Sequence, residues 1–237
     1  APSRGLGDVY KRQKDVRKKT KMIFKVGMLI AAPSAIAFMV FAEPILTLVV
    51  GDSSGSEILS AGAIAILAIA IAQLSAGILQ GMSKQSTPTI NAVIACGIKI
   101  VANFIALSIP RLNIYGFVHS TTICYVIYAA LNMYYLQKYL KMKMNWKKIL
   151  IKPVFCAAIM GLVSFAIYKG LLLIGLSMKL TIIIVMPIAA VIYFIVGIGT
   201  HTIAKGDLLA IPGGKKLVNL LKPVSYTHLT LPTTPYV

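Results

Sequence analysis

Six blocks of about twenty apolar residues dominate this chain, and they leave few folds open to it. The blocks cover about residues 22–41, 58–79, 88–109, 115–136, 151–173 and 180–203. A run of about 18 or more apolar residues with few charges reads as a membrane span. At 1.5 Å rise per residue, twenty helical residues cross the roughly 30 Å of hydrocarbon in a bilayer. A transmembrane barrel would instead need alternating segments of about ten residues, and these blocks are apolar all round. Charged residues make up 13% of the chain and apolar residues 58%. Soluble domains carry about 25% charged residues, so too few are present to cover a surface facing water. The fold class expected is all-α integral membrane, a bundle of about six transmembrane helices.

The net charge of +18 would suggest nucleic acid in a soluble protein. Here the basic residues cluster between apolar blocks, with no basic helix and no basic patch interleaved with aromatics, so no nucleic-acid partner is expected. Anionic membrane lipids are the simpler counterpart. The distribution also gives an orientation. Lys14 to Lys21, Lys84, Lys138 to Lys148 and Lys205 to Lys222 fall on one side of the alternating spans, while Arg111, Lys169, Lys179, Asp52 and Glu57 fall on the other. By the positive-inside rule both native ends face the cytoplasm of a bacterial inner membrane.

Both ends of the chain read as foreign. Residues 8–13, DVYKRQ, can be encoded by GAT GTG TAT AAG AGA CAG, and the reverse complement of that DNA encodes VSYTH, the sequence of residues 224–228. One DNA element in opposite orientations explains both, and it resembles the transposase end of a sequencing adaptor. Residues 1–13 and 223–237 are therefore expected to be adaptor-derived. Residues 14–204 form the helix bundle on this reading, and 205–222 a short amphipathic cytoplasmic tail.

No catalytic constellation assembles, so an enzyme is not expected. Asp15, Glu43, Asp52, Glu57 and Asp207 sit in loops or at span ends, His119 and His201 are isolated, and phosphate-loop, dinucleotide and nucleophile-elbow motifs are missing. Neither a metal site nor a cofactor is implied. Cys96, Cys124 and Cys156 lie inside apolar blocks and read as small packed hydrophobes. Glu43, before Pro44, reads as an interfacial cap.

Polar residues inside spans are costly and carry the remaining signal. Lys99 falls near the middle of the third span, where it either lines a hydrated cavity that meets an anionic headgroup or pairs with another helix. Asn103 and Asn91 lie four after and eight before it, near the same face. They either line that cavity or bond between helices. Gln73 and Gln80, seven apart, share a face of the second span. His119 lies in the first turns of the fourth. Lys99, Asn103, Asn91, Gln73, Gln80 and His119 are the candidates for a substrate cavity.

Three stretches add a family likeness. VFAEPILTLVVGD follows a basic lead-in at residues 40–52, ILQGMSKQSTPTINAVIACGIKIVANFIAL spans 78–107, and NIYGFVHSTTICYVIYAALNMYYL spans 113–136. With the ending DLLAIPGGKKLVNLL, their order and spacing resemble stage V sporulation protein B and related polysaccharide exporters. These are members of the multidrug/oligosaccharidyl-lipid/polysaccharide exporter superfamily, which includes lipid II flippases. The resemblance implies a two-lobed exporter of about fourteen helices, of which this chain is the C-terminal part, with about eight N-terminal helices of the same protein missing. It implies a flippase for a lipid-linked polysaccharide or cell-wall precursor, inactive as a fragment, with a role in sporulation in some relatives. Two alternatives stand beside it: a cation-coupled multidrug or metabolite antiporter of the same superfamily, and a non-transporting membrane assembly factor.

Overall fold

Apolar runs in lipid must satisfy every backbone N–H and C=O internally, and the α-helix does so within one segment. The computed structural model describes residues 2–109 and 113–203, with side chains for 13–109 and 114–203. The described residues are helical almost throughout. In order they form α1 (Pro2–Val40), α2 (Ala42–Val49), α3 (Ser56–Gly62), α4 (Ala65–Gly81), α5 (Ser86–Leu107), α6 (Asn113–Leu140), α7 (Lys152–Leu173) and α8 (Met178–Gly199). Five are long and apolar enough to cross a membrane, and six spans result if α3 and α4 count as one broken span.

The helices pack in a row, α5–α6–α4–α1–α7–α8, with α1 at the centre against both α4 and α7. Phe24, Met28, Leu79, Leu136, Met142 and Met144 form one core at the basic end. Cys156, Ala157, Met160, Ala189 and Tyr193 join Leu29 and Ala32 in a second. Phe41, Tyr168, Ile182 and Val185 close a third at the other end, with Phe41 edge-on to Tyr168 at 5.6 Å. The helix crossings need small residues. A Cβ on Gly116 would sit 2.6 Å from the Cβ of Ala106, so glycine sets the close approach of α6 to α5.

Several expected boundaries move. The first helix begins at Pro2, far upstream of Met22, because the lysine-rich lead-in continues as helix. The second span is not straight: α3 meets α4 at 47°. The amides of Ala63, Ile66 and Leu67 bond three residues back instead of four, and the Ser60 hydroxyl leaves its own helix to donate to the Met39 carbonyl at 2.8 Å. The last span ends at Gly199 rather than 203. There Thr200 and Thr202 turn back, and their hydroxyls lie 3.2 and 3.4 Å from the Cys156 thiol. A π-helical turn at Lys147–Ile151 precedes α7, next to Pro153, which has no N–H to donate. Pro110 and Leu112 lie outside the described residues. So do Arg111, Asp207, the tail at 205–222 and the segment 223–237.

Candidate functional site

Four-residue spacing builds the polar face of α5. Asn91, Ala95, Lys99 and Asn103 follow one another at i, i+4, so they form a single stripe. On α6, Ser120, Cys124, Tyr128 and Asn132 repeat the spacing. The two helices run antiparallel, and the stripes meet. Asn91 Nδ2 donates to Asn132 Oδ1 at 2.8 Å, with Asn91 2% and Asn132 0% exposed. The Ser120 hydroxyl donates to Asn103 Oδ1, and Thr87 Oγ1 lies 3.4 Å from the Tyr139 hydroxyl. The result is a polar seam along the α5–α6 hairpin.

Lys99 interrupts that seam. It is half-buried, and its ammonium lies 5.1 Å from the centre of the Phe117 ring, a cation–π distance. No carboxylate pairs with it among the described residues. With α5 running from Ser86 to Leu107, Lys99 is thirteen residues from one end and eight from the other. Lys99 therefore stands about 4 Å past the middle of the helix, on the side away from the lysine-rich lead-in. Cys96, expected to be packed, is exposed, while Cys124 and Cys156 are buried.

The candidates do not converge on one cavity. Asn91 and Asn103 bond between helices, the second of the two roles weighed for them. Gln73 faces the other way, into a groove between α1 and α4. Gln80 and His119 are exposed. The sequence reading missed Ser120 and Asn132, although their four-residue spacing mirrors that of α5.

A second polar region lies at the opposite end from the lysine-rich lead-in. A cavity of ≈ 610 Å³ there is lined by Glu43, Ser56, Glu57 and Ser60, with Met39 and Val40 of α1 and Ile64 at the break before α4 among its apolar walls. Glu43 is in the first turn of α2, where a carboxylate suits the helix dipole. Glu57 accepts a hydrogen bond from the Tyr115 hydroxyl, tying α3 to α6. In the loop between α2 and α3, the Ser54 hydroxyl and backbone N–H both donate to Asp52 and hold its carboxyl below the usual range. No group of three metal-ligating side chains occurs among the described residues.

Residues 10–105 match the MatE family model. No curated protein and no solved structure matches the chain. The matched region runs from α1 nearly to the end of α5, and it supports the exporter superfamily that the sequence resembles. Together with several helices long enough to span a bilayer, it indicates a multi-pass membrane protein of transporter type.

Proposed function

We propose that the protein is a flippase that moves a lipid-linked oligosaccharide or cell-wall precursor across the bacterial cytoplasmic membrane. The observation that carries this reading is Lys99. It is a cation inside a span, on the edge hairpin of the bundle, with no carboxylate partner among the described residues. Intramembrane charges are costly and mark pathways or partners. A diphosphate linkage between sugar and lipid is an anion that would offset this one. Away from α6, α5 presents Ile90, Val93, Ile94, Val101, Phe104 and Ile105 to its surroundings. Such a face suits a lipid tail or further helices of the same protein. The basic end then faces the cytoplasm, and the lobes rock about a central site in alternating access.

One observation favours a second reading, a cation-coupled antiporter of the same superfamily. Glu43 and Glu57 line one cavity beside the break between α3 and α4; broken helices form ion sites in transporters, and carboxylates within a membrane bundle mark ion pathways. The remaining alternative, a non-transporting assembly factor, predicts that position 99 never meets water.

Binding separates these readings. The product of the whole gene, placed in nanodiscs, is exposed to a photoreactive polyprenyl-pyrophosphate sugar. Lys99→Met should lower cross-linking about tenfold or more, the usual scale for losing a hydrogen bond to a charged group, while Lys99→Arg retains it. Equal labelling of all three proteins would remove Lys99 from the site. A water-soluble maleimide that reaches Lys99→Cys would argue against the assembly factor.

A further inference from the structure

The α1–α4 groove has a polarity gradient of its own. Lys19 and Thr20 stand at its basic end, Ile23, Leu74 and Ile78 line its walls, and Gln73 lies deeper. A second hollow continues it past Val26 to Gly27, sharing Lys19, Ile23 and Leu74 with the first. The two measure ≈ 450 and ≈ 470 Å³. On α4, Gln73, Gly77 and Gly81 follow at four-residue spacing and are all exposed. A Cβ on Gly77 or Gly81 would meet nothing within 4 Å, so these glycines leave the groove open instead of admitting a neighbouring helix.

Two quantities identify an occupant. From Val16 to Gly27 is eleven residues, about 17 Å along α1. One leaflet of hydrocarbon is about 15 Å deep, half of the roughly 30 Å core. Measured from Lys19 to Gly27, eight residues or about 12 Å, the groove covers most of one leaflet, with a cation at its headgroup end and apolar walls where acyl chains would lie. Its basic end is surrounded by Lys14, Arg17, Lys18 and Lys21, which adds long-range attraction for anionic headgroups.

We propose that the α1–α4 groove is a binding site for one anionic phospholipid, with its phosphate at Lys19 and an acyl chain lying over Gly77 towards Gly27. The Lys19 ammonium holds the phosphate as a point charge. The site lies on the α4 side of α1, away from Lys99, and does not depend on what cargo the protein moves. A failure of the flippase reading would leave it standing.

The test is native mass spectrometry of the purified chain, released from detergent after incubation with phosphatidylglycerol or with phosphatidylcholine of the same acyl chains. Phosphatidylglycerol should be retained about fivefold better, the ratio set by one lysine near the membrane surface. Lys19→Gln should remove that preference. Lys18→Gln, exposed but off the groove, should keep it. Gly77→Leu adds bulk to the groove at a position where a Cβ meets nothing within 4 Å, and it should weaken retention of both lipids. Glycerol phosphate, which has a headgroup and no tail, should not compete. Equal losses from Lys18→Gln and Lys19→Gln would overturn the proposal in favour of a diffuse basic surface. Unchanged retention by Gly77→Leu, or competition by glycerol phosphate, would overturn it as well. Monodisperse elution of each variant confirms that it folds.

Discussion

Cutting the Asn91–Asn132 pair should destabilise the α5–α6 hairpin by a small, coupled amount. Both side chains are buried, one bond of 2.8 Å joins them, and Asn132 Nδ2 has no partner. Removing either amide strips the other of its only described bond and leaves a buried polar group unsatisfied, which costs about 1–3 kcal/mol. Two features pull the value down. The orphaned Nδ2 already carries part of that penalty, and Asn132→Ala relieves it. Asn91 also lies only five residues beyond Ser86, about 8 Å along the helix, where a separated hairpin can recruit interfacial water. Interhelical bonds in membrane proteins average about 0.6 kcal/mol in double-mutant cycles and reach about 1.7. The expected coupling lies in that interval, with Asn91→Ala costing more than Asn132→Ala. The assay is a double-mutant cycle on reversible unfolding in mixed micelles, followed by the fluorescence of Trp146. A coupling indistinguishable from zero would refute the seam. So would an Asn91→Ala variant as stable as the parent, which would put Asn91 in contact with solvent.

Three further outcomes follow from the geometry. Gly116→Val should cost about 1–3 kcal/mol by forcing α6 away from α5, and Ala106→Gly in the same chain should recover part of it, read by the same unfolding assay. Asp52 should titrate below the ordinary value of about 3.9, because Ser54 bonds favour its charged form. A depressed folded value means that its contribution is present above the unfolded pKa and is lost as pH falls through the folded one; carboxylate NMR of Ser54→Ala should move the titration back up. Tyr115→Phe should loosen α3 from α6 by removing the bond to Glu57, seen as faster proteolysis between α2 and α4, whereas unchanged cleavage would show that the bond holds nothing.

Hydropathy made the fold class legible, an all-helical chain with five to six helices long and apolar enough to cross a membrane, since each needs about twenty apolar residues whatever its neighbours are. The break between α3 and α4 was not legible. It rests on a tertiary contact, the Ser60 hydroxyl reaching Met39 on another helix, while the local run of Ala, Ile and Gly reads as continuous helix. The stop at Gly199 has the same character, because Thr200 and Thr202 bond to Cys156, far away in the chain. In the candidate site the spacing of Asn91, Lys99 and Asn103 identified one polar face but not its use. A stripe that bonds a neighbouring helix and one that lines a cavity share the same period. What distinguishes them is the matching stripe of Ser120 and Asn132, whose partner is fixed only when α5 and α6 fold against each other. Gln73 was grouped with Gln80 by spacing, yet α1 packs on α4 so that Gln73 lines the groove.

The most direct measurement of the central claim is reconstitution of the whole gene product in proteoliposomes with a fluorescent oligosaccharide on a polyprenyl pyrophosphate carrier. An enzyme confined to one side then reports how much of the sugar has crossed. The account predicts crossing above protein-free vesicles, weakened by Lys99→Met and spared by Lys99→Arg. Cation-driven efflux of a soluble compound, with no crossing of the lipid-linked sugar and with loss in Glu43→Gln or Glu57→Gln, would contradict the flippase reading and establish the antiporter in its place.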